Sequence, residues 1–424
     1  MMAMGKRLRR RFVVRPNRDL SVSGYCCLLV LVGFSLAVFA GTNTVLAQHS
    51  IAELQQSLRE VAGFDEADFA TLAQGQTVVN PLPTSEKSEV AVCGLVGLEV
   101  PAEMFLQSFR DSMTRKSSPA ILEIGRFGST PTLDDLQGLT FEQRDLDDLK
   151  ECVVGDCDLK LSAAMIERLQ KELDAKAPDY AIQATRLLKL MLVEYVRDYL
   201  ARGDAALIKY HDKSEEVALA HEQRALMGAS TYMKNVLPEV SEHLKGFPKA
   251  ETSIVENAIV WSKIKFGLKP VIAINHITVY RRQQNPQVVV ASRQIYANHY
   301  FDSSLALTAF TSIPGATPGS YLFYENRSRV DGMEGAFGKF KRGIVEDKAL
   351  DGLKGILESS RANLSAQALN RTEPAPVAHE GRIWRGGKVR VAYVFLGLLL
   401  ITGIVALLTL GNYEWKGGLT GRLP

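Results

Sequence analysis

The chain has 424 residues, 46% hydrophobic and 23% charged, with 50 lysines and arginines against 47 acids and a net charge of +3. This is the composition of a folded globular protein and excludes disordered and fibrous classes. Outside a basic cluster between Lys6 and Arg18, positive and negative side chains are balanced, so the sequence offers no electrostatic footprint for nucleic acid.

The basic cluster precedes an apolar run, Gly24 to Gly41, and the small-residue stretch Val45-Leu46-Ala47. Two readings compete: a secretory signal cleaved after Ala47, and an uncleaved anchor. Either one exports residues 50 to 385 to a periplasmic or extracellular space. At the other end, Val391 to Leu410 is uncharged and long enough, at ~1.5 Å per residue, to span a hydrocarbon core as a helix. Arg382, Arg385, Lys388 and Arg390 precede that run, whereas only Lys416 and Arg422 follow it, which by itself would hold the large domain in the cytoplasm. The first apolar segment, with its stronger basic flank, is taken to set orientation; the charges around the second stand in conflict with it.

Within the exported part, Ser50 opens a helix with Leu54, Leu58 and Val61 on one stripe, and a second short helix runs from Asp65 to Gln74. Glu89 to Val100 is rich in β-branched residues and reads as a strand ended by Pro101. Met104, Phe105, Phe109 and Met113 then recur at helical spacing. From Gly125 the pattern is first acidic and loop-like, then helical over 162–173, 180–203 and 214–226. Cys152 and Cys157 lie six residues apart counted inclusively, around the turn formers Gly155 and Asp156. A disulfide suits that short loop in an oxidising compartment, and two free thiols are the alternative. A zinc site would need a second ligand pair, which the sequence lacks, so neither metal nor cofactor is expected. Cys93, between apolar neighbours, reads as a small buried side chain.

From Thr252 the period becomes two. Five strands are expected, 252–266, 269–282, 287–300, 303–313 and 320–330, with turn residues between them and hence an antiparallel meander. A long amphipathic helix follows, with Leu350, Leu353, Leu357 and Leu364 as its apolar stripe.

That order, with Val100-Pro-Ala-Glu-Met-Phe105 after the first strand and Leu350 to Leu364 closing the domain, resembles the START-like helix-grip superfamily over about 88–113 and 250–364. The resemblance implies an α+β fold in which a curved antiparallel sheet wraps a long C-terminal helix and leaves an apolar cavity between them. Most members bind lipids or other hydrophobic molecules, and a minority are enzymes. This chain departs from the pattern in its long insertion and in its membrane anchor. The expected organisation is a signal segment (1–47), N-terminal helices and linker (50–87), and an α+β domain (88–364) with a helical insertion at about 125–246. A flexible linker (365–390), a membrane helix (391–410) and a short tail (411–424) complete it.

Strand parity then nominates cavity residues. Gln294, Tyr296, Asn298 and Tyr300 share one face, opposite Arg293, Ile295, Ala297 and His299. In the last strand Glu325, Arg327 and Arg329 suit a solvated face, which turns Leu322, Tyr324, Asn326 and Ser328 inward. Tyr296, Asn298, Tyr300, Tyr324 and Asn326, with His276, are therefore the candidate ligand contacts, although the same residues also suit an ordinary core rim. His276, His299 and Asp302 offer an acid, a base and an orienter for a hydrolase. No nucleophile elbow, His-Glu-x-x-His or phosphate loop supports catalysis. The sequence thus favours a membrane-anchored protein that binds a lipid or apolar small molecule. A non-enzymatic interaction module of the cell envelope and a hydrolase are the alternatives.

Overall fold

The computed structural model describes residues 51–249, 255–282, 287–331, 333 and 338–372. The N-terminal segment and the run Val391–Leu410 lie outside these. Among the described residues, no helix is long and apolar enough to cross a membrane.

The first helix, α1 (51–62), buries Leu58. Helix α2 (Glu66–Ala73) begins at a capping box between Asp65 and Asp68. The stretch read as a linker contains β1 (Val78–Pro81), which pairs antiparallel with β2 (Glu89–Leu98). Helix α3 (Ala102–Ser112) follows the Pro101 stop and buries Met104, Phe105 and Phe109, with Phe105 stacked on Phe310 at 5.0 Å between ring centroids. A strand absent from the sequence reading, β3 (Ile121–Arg126), comes next. Its six residues carry a charge at Glu123 and a glycine at Gly125, where the indole of Trp261 packs against the backbone, so it lacks the run of β-branched residues that marks a strand.

The insertion after β3 contains α4 (Gln143–Asp148), α5 (Ala163–Glu172), the long α6 (Tyr180–Arg202), a two-stranded ribbon of β4 (Lys209–Tyr210) and β5 (Val217–Ala218), then α7 (Leu219–Ala229), α8 (Thr231–Asn235) and α9 (Pro238–Gly246). The helix expected from residue 214 starts only at Leu219, because the residues before it are engaged in the ribbon. Five meander strands then appear where the period of two places them: β6 (Val255–Ile264), β7 (Val271–Arg281), β8 (Gln287–Ala297), β9 (Phe301–Ser312) and β10 (Ser320–Val330). The closing helix α10 (Gly338–Thr372) takes in the first residues of the stretch expected to be a flexible linker.

All eight main strands form one curved antiparallel sheet in the order β1-β2-β10-β9-β8-β7-β6-β3. Both its faces are covered. On one, α3 and α10 meet Val92, Val96, Val260, Ile277, Val290, Phe310 and Leu322. On the other, α6 packs Leu188, Met191, Leu192 and Val196 onto Ile259, Ile272, Ile274 and Ile295. The rest of that second face is taken by α1, α2 and α7–α9, which meet Val289, Leu305, Leu307 and Phe323. This double cover is why Val288-Val289-Val290 runs apolar without alternation.

Two side-chain placements differ from strand parity. Glu325 and Arg327, expected on a solvated face, are 3% and 4% exposed, because the N-terminal helices and α7–α9 roof that face. In β8 the register shifts opposite Ile274 and Asn275, so that Gln294 and Tyr296 are paired and Ile295 is the extra residue. Beyond this bulge the alternation inverts: Tyr296 and Asn298 turn towards the insertion and Ala297 towards α10.

Helix α10 packs tightly on the sheet at Gly94, where a Cβ would fall 2.6 Å from Leu357 Cδ1. Gly94→Val is therefore expected to lower stability by ~1–3 kcal/mol through overpacking, read as a lower urea midpoint. An unchanged midpoint would show that α10 does not press on β2 there.

Candidate functional site

The α10 face of the sheet carries the site. Most of its side chains are aliphatic or aromatic, yet polar residues cross it from strand to strand: Ser262 on β6, Asn275 on β7, Ser292 and Gln294 on β8, Ser304 and Thr308 on β9, and Asn326 and Ser328 on β10. Each is at most 5% exposed. At the β9–β10 end they satisfy one another, Ser304 Oγ lying 2.8 Å from Ser328 Oγ, and Ser328 Oγ donating to Asn326 Oδ1 at 3.0 Å. Ser262 Oγ, Thr308 Oγ1 and both amide atoms of Gln294 are buried without a hydrogen-bond partner among the described residues. Ser360 Oγ, on the same α10 stripe as Leu353, Leu357 and Leu364, shares that condition. An unpaired buried polar atom costs ~1–3 kcal/mol, so several aimed at one face form a polar patch in need of acceptors and donors.

At the edge of this face, between the end of α3 and β3, lies a notch of about 150 Å³. Met113, Ala258, Ile277 and Val279 supply apolar lining, and Arg110, Arg126 and Glu256 are its charged members. Arg110 Nε donates to Glu256 Oε2 at 3.2 Å.

Of the six candidate ligand contacts, Tyr324 and Asn326 are on the α10 face. Tyr296 and Asn298 are on the opposite one, where Tyr296 packs 6.4 Å from the Tyr210 ring and Asn298 Oδ1 accepts from the Ile272 amide at 2.7 Å. Tyr300 sits in the β8–β9 turn with φ 61°, its hydroxyl accepting from the Lys269 amide at 3.0 Å. His276 is fully buried beneath α6 and α9. Tyr199 donates to its Nδ1 at 2.8 Å, and its Nε2 lies 2.9 Å from Asn257 Oδ1. Burial, reinforced by Arg293 and His243, pushes its pKa down to about 3 and keeps the ring neutral.

The proposed hydrolytic trio is not assembled. His276 bonds Tyr199 and Asn257, His299 Nε2 bonds Asp145 at 3.1 Å, and Asp302 bonds Lys160 at 2.8 Å. Cys152 and Cys157 form a disulfide with Cα atoms 4.5 Å apart. Its loop is tied to the ribbon by Gly155 N–H donating to His211 O and Cys157 N–H to Asp212 O, at 2.8 and 3.0 Å. Among the described residues, no group of three or more histidines, cysteines or acids could hold a metal ion.

Sequence reasoning missed a buried charge cluster at the β8–β9 end of the sheet. Lys160, 2% exposed, lies 3.5 Å from Asp212, 2.8 Å from Asp302 and 3.1 Å from Asp331, and 5.0 Å from the Tyr210 ring centroid. Burial opposes its charge, but the three carboxylates outweigh that and hold its pKa above the ordinary lysine value. Lys160 and Asp212 belong to the insertion, Asp302 and Asp331 to the sheet and its exit, so only folding reveals the cluster. Comparison with protein-family models, with curated proteins and with solved structures returned no match to this chain.

Within the cluster, burial and Asp331 raise the Asp302 pKa to about 6 against the pull of Lys160. Burial acts on Asp331 as well, but Lys160 and Lys213 overcome it and lower its pKa. Folding thus favours neutral Asp302, whose contribution to stability is complete at low pH and is lost as pH rises from about 4 to about 6. Asp302→Asn should remove this pH dependence, so that its stability changes less than that of the parent protein as pH rises from about 4 to about 6. Urea midpoints of both proteins across that range test this, and identical pH profiles would contradict it.

Proposed function

We propose that this protein binds a lipid or other apolar small molecule against the α10 face of its sheet, as a membrane-anchored extracytoplasmic protein. The observation that carries the reading is the set of orphaned polar atoms on that face, Ser262 Oγ, Thr308 Oγ1, the Gln294 amide and Ser360 Oγ, set among aliphatic and aromatic side chains. An apolar surface with a few convergent hydrogen-bonding groups is the usual chemistry of a small-molecule site. A ligand that satisfied those atoms would recover free energy that the bare protein forgoes, which favours an amphipathic molecule with a neutral polar group over a plain hydrocarbon.

The START-like resemblance supports the same surface, since it implies a cavity between a curved sheet and its closing helix. Location rests on the apolar runs Gly24–Gly41 and Val391–Leu410, the second of which follows α10 by residues 373–390. Such a tether would keep the binding face near a bilayer from which an apolar ligand could be drawn.

Organic extraction of the purified protein followed by mass spectrometry tests the reading. A co-purifying amphipathic molecule at near-stoichiometric amount is expected; a protein that retains none and takes up none from vesicles would overturn it. Gln294→Leu removes two orphaned atoms without changing the strand. It should leave the ligand-free protein as stable or ~1–2 kcal/mol more stable while retaining several-fold less ligand. Parallel denaturation and extraction of the variant check both halves.

A further inference from the structure

We propose that the notch between α3 and β3 receives the anionic end of an amphipathic ligand, a carboxylate or phosphate, whose chain then runs along the α10 face. The inference rests on the reading of that face as the binding surface and adds the headgroup and its location. Arg110 and Arg126 enter the notch from different elements, the end of α3 and the end of β3. Glu256 holds the Arg110 guanidinium, contacting both Nε and Nη2. Arg126 is exposed, and among the described residues no ion pair or hydrogen bond engages its side chain. The three charges leave the notch one positive charge in excess, and a planar guanidinium fork is the group best matched to two oxygens of a carboxylate or phosphate.

The floor of the notch decides what that anion is attached to. Ala258 on β6, and Ile277 and Val279 on β7, line it and belong to the same sheet face as Ser262 and Asn275. Four residues along an extended strand separate Ala258 from Ser262 and Asn275 from Val279, or ~13 Å at ~3.3 Å per residue. A volume of about 150 Å³ accommodates a headgroup and a few methylenes. A longer chain entering here would follow the strands inward and bring its middle to the polar patch around Gln294. A free inorganic anion would use the arginines and leave the apolar floor unoccupied.

The experiment is equilibrium binding of palmitate, hexadecyl phosphate, hexadecanol and inorganic phosphate to the purified full-length chain in amphipol, repeated with Arg126→Gln. That side chain is exposed and has no bonding partner among the described residues, so its replacement tests the charge and not the fold. Palmitate or hexadecyl phosphate should bind about tenfold more tightly than hexadecanol, and Arg126→Gln should abolish that preference while leaving hexadecanol binding unchanged. The tighter of the two anions identifies the headgroup. Equal binding of acid, phosphate ester and alcohol, unaffected by Arg126→Gln, would overturn the notch while leaving the α10-face reading intact. Phosphate binding as tightly as its hexadecyl ester would overturn the role of the chain. Failure of all three long-chain compounds to bind would overturn both readings.

Discussion

A sheet that is apolar on both faces must be covered on both, and every other element of this protein answers to that requirement. Isoleucines 259, 272, 274 and 295 face one way, and Val260, Ile277 and Val290 face the other. At ~25 cal/mol per Å² of apolar surface, leaving either side open would forfeit far more than the net stability of a domain. The chain supplies one cover from α3 and α10 and the other from the N-terminal helices and the insertion. The insertion is thus a structural layer of the domain, with α6 buried for most of its length.

Covering the second face traps charges, and their pairing fastens the layers together. Arg327 donates to Glu89 at 2.7 Å and to Glu325 at 2.8 Å, and Glu325 accepts from Ser230 at the start of α8. Burial raises the Glu325 pKa despite the arginine beside it. Arg293 is fully buried, pairs with Asp204 after α6 and donates to the Leu244 carbonyl on α9. Lys160 does the same work at the end of the sheet. Such groups contribute little net stability when paired, but removing one partner costs ~3–5 kcal/mol, so they penalise any docking of insertion on sheet other than the native one.

Both faces of the sheet leave buried polar atoms unsatisfied. Towards the insertion, His276 bonds Tyr199 of α6 and the Tyr195 hydroxyl of α6 reaches the Ile295 carbonyl, while Asn298 Nδ2, Ser303 Oγ and Gln223 Oε1 are buried without a partner among the described residues. Towards α10, the orphaned atoms are spread over β6, β8, β9 and the helix itself.

The order and type of the longer elements were legible in the residues themselves, whereas β1, β3 and the β4–β5 ribbon were not. The period of two over β6–β10, the stripe of Leu353, Leu357 and Leu364, and the Pro101 stop before α3 are local signals, fixed by backbone geometry within one segment. The two apolar terminal runs and the absence of a nucleic-acid footprint are also properties of composition alone. Which face a side chain occupies was legible only until something non-local intervened: the bulge at Ile295 turned Tyr296 and Asn298 away from α10, and a roof of distant helices buried Glu325 and Arg327. The charge cluster on Lys160 and the notch between Arg110 and Arg126 join residues far apart in the chain, and no local period encodes them. Sequence determined which of the longer segments are strands and helices because backbone preference is read over a few residues. Tertiary structure decided which polar atoms are satisfied and which are left over, because a hydrogen-bond partner is chosen by packing across the whole chain.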